Sequence, residues 1–248
     1  MIKYDLHTHS QFSPDAEDTV DLLCLTAIKK GITHLAITDH FDAHKDDTYP
    51  FYYNYEKQSI AIDNARVKYK DKLTLLKGIE YSQPYNTPEI FAQTIKLEFD
   101  IIIGSIHKIG HYNDYDKDND TKYKKYFTNI KRMIEHGGFD VLGHIDFPAR
   151  YYSGYYSHSR ELEDAVKALC KSEVIPEINS SPLRRGMPFA MPDELILQMY
   201  TDFGGRYITT ASDAHNANDI GADFDYIQKL IKRFNLLPVY FKDRKMFE

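Results

Sequence analysis

Short apolar strands that end in a polar residue and lead into a helix-length segment constrain this chain more than any other feature. Seven such strands are predicted at 2–10, 33–40, 73–80, 100–107, 141–146, 174–179 and 207–213. Helices are expected between them. The first spans 18–30, with Asp18 as its cap and Gly31 as its stop. Others fall at 55–69, at 88–96 behind Thr87-Pro88, at 123–136 before Gly137-Gly138, at 161–171, at 192–203 and at 219–234. Segment 238–241 is expected to add a short last strand. Parallel neighbours need crossover helices, so this alternation predicts an α/β fold with a parallel sheet. An open doubly wound sheet would spread the polar strand ends along a line. A closed barrel brings them to one mouth, and the expectation is a single (β/α)7 barrel domain over 1–248.

The first strand shows what the mouth could hold. Side chains alternate faces along an extended strand, so Asp5, His7 and His9 project together as part of a metal shell. Later strand ends repeat the pattern. The candidate ligands are His7, His9, Asp15, His40, Glu80, His107, His144, Asp213 and His215. Taken singly, each histidine is better read as a satisfied core or rim residue, but the set at one barrel end is not. His34, His44, His111, His136 and His158 fall at strand starts, in loops or in helices and keep the bland reading. Nine ligand-type residues exceed one tetrahedral sphere, so two or three divalent ions sharing carboxylates are expected.

Composition excludes several alternatives. A chain of 248 residues, 42% hydrophobic, can bury a substantial core, and its net charge of −6 gives no bulk attraction to nucleic acid or anionic membrane. No apolar run approaches the roughly 18 residues of a spanning helix, and no signal-peptide pattern follows Met1. A cytoplasmic protein is expected. Cys24 and Cys170 sit in apolar helical patterns and read as small core residues. The oligomeric state is not legible.

Six ordered motifs make the chain recognisable: Asp-Leu-His-Thr-His-Ser at 5–10, Thr-Asp-His at 38–40, Gly-Ile-Glu at 78–80, Ser-Ile-His at 105–107, Gly-His-Ile-Asp at 143–146 and Ser-Asp-Ala-His at 212–215. Together they resemble the PHP (polymerase and histidinol phosphatase) superfamily. Phe-Ser-Pro-Asp at 12–15, Arg150-Tyr151 after His-Ile-Asp, Glu-Ile-Asn-Ser-Ser-Pro-Leu-Arg at 177–184 and Tyr-Phe-Lys-Asp-Arg-Lys at 240–245 look like its monofunctional histidinol-phosphate phosphatases.

The resemblance implies a distorted (β/α)7 barrel and a trinuclear site. His7, His9, Glu80 and Asp213 would hold one ion, and Glu80 would bridge to a second held by His107 and His144. Asp15, His40 and His215 would hold the third, with Glu80, Asp213 and His215 in catalytic roles. Many PHP proteins carry His where this chain has Asp15. The harder oxygen favours Mn or Fe over Zn at that position, and metal identity stays open.

Arg150 and Arg184 resemble phosphate-gripping arginines, with Arg185 as the alternative to Arg184. Asp39 and Asp146 are expected to orient ligand imidazoles. The Tyr-rich segments 49–55 and 151–156 would wall the substrate's amine end. The implied activity is hydrolysis of a small phosphate monoester, L-histidinol phosphate, in histidine biosynthesis. Two alternatives are a PHP phosphoesterase acting on phosphotyrosine or a nucleotide phosphate, and a non-catalytic module. The latter predicts missing ligands.

Overall fold

Eight parallel strands follow one another around the sheet in sequence order: β1 (Tyr4–Asp5), β2 (His34–Phe41), β3 (Thr74–Ser82), β4 (Ile101–Ser105), β5 (Val141–Leu142), β6 (Ile175–Asn179), β7 (Tyr207–Ala211) and β8 (Leu237–Pro238). The computed structural model describes residues 2–45, 47, 49–107, 119–151, 156 and 158–248. The crossovers are α1 (Val20–Lys29), α2 (Tyr55–Tyr69), α3 (Pro88–Thr94), α4 (Asn119–His136), α5 (Arg160–Lys171), α6 (Ser181–Arg184), α7 (Glu194–Asp202) and α8 (Phe224–Arg233).

The sheet closes on itself, and one edge of β7 explains the distortion. The carbonyls of Arg206 and Ile208 accept from Leu237 N (2.8 Å) and Val239 N (2.8 Å). Thr210, next on the same edge, accepts from Leu6 N at 2.9 Å. β8 therefore fills the lower part of the seam, and the segment after β1 fills the upper part. Closure continues at the mouth through Asp213 N to His7 O (2.9 Å) and His9 N to Ala214 O (2.8 Å). The expected (β/α)7 barrel is the observed architecture, with a short eighth strand wedged into its seam.

Several boundaries differ from expectation. Regular pairing in the first strand covers only Tyr4–Asp5, because the chain beyond turns its hydrogen bonds toward β7 and Thr38. Thr19, not Asp18, caps α1, its hydroxyl accepting from Leu22 N at 3.2 Å. Thr19 immediately precedes the helix in extended backbone, the geometry a cap needs. Asp18 instead accepts from Ala217 N at 2.6 Å. Thr87 precedes Pro88 as expected but makes no cap bond, since its hydroxyl pairs with Tyr81 OH at 2.8 Å. The last segment divides into β8 and an antiparallel hairpin, β9 (Tyr240–Lys242) with β10 (Lys245–Phe247).

Two apolar clusters follow from the twofold side-chain period. Leu35, Ile37, Leu75, Ile79 and Ile102 pack outward with the helices. Leu6, Ala36, Leu76, Ile101, Ile103, Val141, Ile175 and Val239 fill the lumen. That packed floor leaves only the mouth for chemistry. At Gly78, between Leu76 and Glu80, an added Cβ would lie 2.6 Å from Thr38 Cγ2 and 2.7 Å from Ile101 Cγ2. Gly78→Ala is expected to destabilise the fold by about 1–3 kcal/mol, because the lumen cannot move aside. A denaturation midpoint equal to wild type contradicts this account of the lumen.

Candidate metal centre

Glu80 lies at the middle of the mouth, fully buried near the end of β3. Its two oxygens face different histidines. Oε1 is 3.0 Å from Nε2 of His107 and 3.0 Å from Nε2 of His144. Oε2 is 2.8 Å from His40 Nδ1, 3.2 Å from His7 Nε2 and 3.6 Å from His9 Nε2. Asp213 divides its carboxylate in the same way. Oδ1 is 3.4 Å from His9 Nε2 and 3.6 Å from His215 Nδ1. Oδ2 accepts from Arg150 Nη2 (2.8 Å), Ser181 Oγ (3.0 Å) and Asn179 Nδ2 (3.2 Å). The residue sits at φ 52°, a left-handed conformation that aspartate tolerates better than most side chains.

Asp15 completes the rim. Its Oδ2 is 3.2 Å from His215 Nε2 and 3.5 Å from His40 Nε2, and those two nitrogens are 3.4 Å apart. The nine side chains nominated from sequence thus form one continuous cluster. Ligand atoms of His7, His9 and Asp213, of His9, His40 and His215, and of His40, Glu80 and His107 each lie within 4.8 Å of one another. Among the described residues, His34, His44, His136 and His158 belong to none of these groups. His111 lies outside the described residues.

Six imidazoles and three carboxylates form a donor set suited to divalent transition metals. The orphaned atoms make the same point. His7 Nε2, His9 Nε2, His40 Nδ1 and Glu80 Oε2 are buried without a hydrogen-bond partner among the described residues. His40 Nδ1 and Glu80 Oε2 are close, yet not in hydrogen-bonding geometry. Four such atoms converging on one point would be costly unless a cation satisfied them. Burial alone would raise Glu80, but the imidazoles of His107, His7 and His40 together hold it well below the usual carboxylate range. Burial, reinforced by His40 and His215, pushes His9 well down and favours its neutral, metal-binding form.

The surrounding layer differs from expectation. Among the described residues, Asp146 makes no hydrogen bond or ion pair with a ligand imidazole; it accepts from Tyr156 OH (2.9 Å) and Asp193 N (2.9 Å). Asp39 reaches a ligand only through Ser13, whose Oγ is 2.9 Å from Asp39 Oδ1 and 3.1 Å from His9 Nδ1. Asp39 adjoins His40 within β2, and adjacent strand residues face opposite ways, whereas Asp146 lies in the turn beyond β5, two residues after His144. Asp5 also leaves the cluster, binding Ser212 N (2.9 Å) and Gly221 N (2.8 Å). Glu177, unassigned from sequence, holds His7 Nδ1 at 2.8 Å. A charged residue inside the apolar run of β6 was the available signal.

The arginines differ in freedom. Arg150 is held at Asp213 and Ser181 through Nη2, and its buried Nε has no hydrogen-bond partner among the described residues. Arg184 is tied to Ser212 O at 2.6 Å and paired with Asp219 at 3.3 Å, so it braces the loop carrying Asp213. The expected tyrosine wall is also changed. Tyr156 is buried against Tyr123 and Phe127, and Tyr53 packs on Phe41, while Tyr49, Tyr52 and Tyr151 are exposed. Residues 152–155 lie outside the described residues.

A closed parallel barrel with this donor set at its mouth defines a metal-dependent barrel hydrolase. The PHP domain model matches residues 5–181. A probable histidinol-phosphatase from Thermotoga maritima is 32% identical over 236 residues, covering 93% of this chain and 92% of that protein. Histidinol-phosphatase from Lactococcus lactis is 26% identical, with 94% and 91% covered. The crystal structure of the histidinol phosphate phosphatase from Lactococcus lactis, complexed with zinc, L-histidinol and phosphate, aligns with a TM-score of 0.85 at 23% identity over 99% of both chains. The chain belongs to the PHP domain family.

Proposed function

We propose that this chain is a metal-dependent phosphomonoesterase that hydrolyses L-histidinol phosphate to L-histidinol and phosphate in histidine biosynthesis. The carrying observation is Glu80, whose buried carboxylate faces His107 and His144 with one oxygen and His7, His9 and His40 with the other. In this reading His7, His9, Glu80 and Asp213 hold one ion, Glu80, His107 and His144 a second, and Asp15, His40 and His215 a third. Divalent ions bound there would supply charge neutralisation and water acidified to near-neutral pKa.

The chain's own groups then divide the remaining tasks. Arg150 keeps spare N–H donors beside Asp213 for the phosphate, and the Phe147 ring lies 5.0 Å from its guanidinium carbon, shielding that contact from water. Asp213 O accepts from His215 Nδ1 at 3.1 Å, so Nε2 of His215 faces Asp15 and the open rim. Arg184 fixes the loop on which both ligands sit. β8 lies beyond the matched residues yet completes the barrel wall, which supports one domain over 1–248.

The partner proposed is a small molecule, since a net charge of −6 does not attract nucleic acid or anionic membrane. No helix among the described residues is long and apolar enough to cross a membrane. The proposed compartment is the cytoplasm, where biosynthetic substrates of this kind are found. Protein purified without chelator is expected to carry about two to three divalent ions per chain. It should release phosphate from L-histidinol phosphate until chelated, and again once Zn, Mn or Fe is restored. One ion or fewer in a folded chain contradicts the multinuclear reading.

A further inference from the structure

The imidazoles of the centre differ in what holds their outward nitrogens. Glu177 Oε2 lies 2.8 Å from His7 Nδ1, and its Oε1 accepts from His144 N (2.9 Å) and Asn179 Nδ2 (2.8 Å). With Oε1 taken by two N–H donors, Oε2 is placed as the acceptor for an N–H on His7 Nδ1, which aims the Nε2 lone pair inward.

His9 is fixed by counting protons around Ser13. Asp39 accepts from Ser10 N (2.6 Å), Ser10 Oγ (2.9 Å) and Gln58 Nε2 (2.8 Å) and cannot donate to Ser13. The single Ser13 hydroxyl proton therefore goes to Asp39 Oδ1 at 2.9 Å, a charge-assisted bond. Ser13 Oγ accepts from His40 N at 3.0 Å, and its remaining lone pair meets His9 Nδ1 at 3.1 Å. His9 is thereby also protonated on Nδ1, with Nε2 aimed at the centre.

Among the described residues the opposite side is held more loosely. His144 Nδ1 is buried without a hydrogen-bond partner among the described residues. His107 Nδ1 reaches Asp42 only at 3.4 Å, a long contact at a part-exposed position.

We propose that Glu177 and the Ser13–Asp39 pair are positioning residues that preset the tautomers of His7 and His9, making the position these share with Asp213 the slowly exchanging one, while the ion between His107 and His144 exchanges readily. This rests on the metal reading given above. Partners of this kind typically change metal affinity by roughly 10- to 100-fold when removed.

The test is to challenge the metal-loaded protein with EDTA and count ions per chain by elemental analysis over time. Loss is expected in at least two phases, with about one ion in the slowest. Ser13→Ala should quicken that slow phase roughly 10- to 100-fold and leave the fast loss unchanged. A merely structural loss, felt through the unpaired His40 N, would instead lower melting of the chelated protein without separating the two phases. Should that variant fail to fold, Glu177→Gln, close in shape to the native side chain, is read by the same count. Loss of two or three ions in one phase, or a wild-type slow phase in the folded variants, overturns the asymmetry alone. A chain holding one ion or fewer before EDTA overturns it together with the metal reading.

Discussion

Glu80→Gln is expected to lose metal and turnover together, with kcat/KM falling by more than roughly a hundredfold, above about 2.7 kcal/mol of barrier. The two Glu80 oxygens face separate groups of histidines, at 3.0 Å on one side and 2.8–3.6 Å on the other. An amide offers only one acceptor oxygen. Its NH2 would point a donor where a cation is to sit, and it carries no charge to offset two ions in a fully buried position. Metal content and phosphate release measured on the same preparation decide the matter. A variant with full metal content and more than about a tenth of wild-type activity, a loss below roughly 1.4 kcal/mol, is incompatible with the bridging role.

Arg150→Ala is the second large effect. It should raise KM and lower kcat/KM by about 2–3 kcal/mol, roughly 30- to 160-fold, because a charge-assisted phosphate contact disappears from ground and transition states alike. The guanidinium also covers Asp213 Oδ2 at 2.8 Å, and Ser181 and Asn179 still donate to that oxygen after truncation. Metal content should therefore survive. Steady-state kinetics alongside elemental analysis separates the two roles: lost metal with unchanged KM would make Arg150 a brace for Asp213 and not a phosphate contact. Arg184→Ala is expected to have the smaller kinetic effect, since its guanidinium is already engaged by Ser212 O and Asp219.

The barrel and the cluster at its mouth were legible for one reason. Lumen residues recur every second position, as in Ala36, Thr38 and His40 or Leu76, Gly78 and Glu80, so apolar floor and polar rim share one face of these strands. The layer behind the cluster was not legible. Asp39 adjoins His40 but acts on His9 and only through Ser13, while Asp146 lies in the turn beyond β5 and binds Tyr156 and Asp193 instead of an imidazole. Glu177 carried a usable sign, an acidic side chain between Pro176 and Ile178 in a fully buried strand. Ser13 carried none, because its part depends on a loop returning to within 3.1 Å of His9 and 2.9 Å of Asp39. The cap of α1 was misplaced for a similar reason: Asp18 and Thr19 are both good caps, and a contact from Ala217 takes Asp18 away.

The central claim joins metal chemistry to one substrate, and competition tests it most directly. L-histidinol phosphate and phosphotyrosine are offered together at equal concentration to the metal-loaded chain, and the two alcohol products are quantified. The account requires L-histidinol to dominate, and both products to vanish after chelation. Preference for phosphotyrosine contradicts the proposed substrate and leaves a PHP phosphoesterase of another specificity.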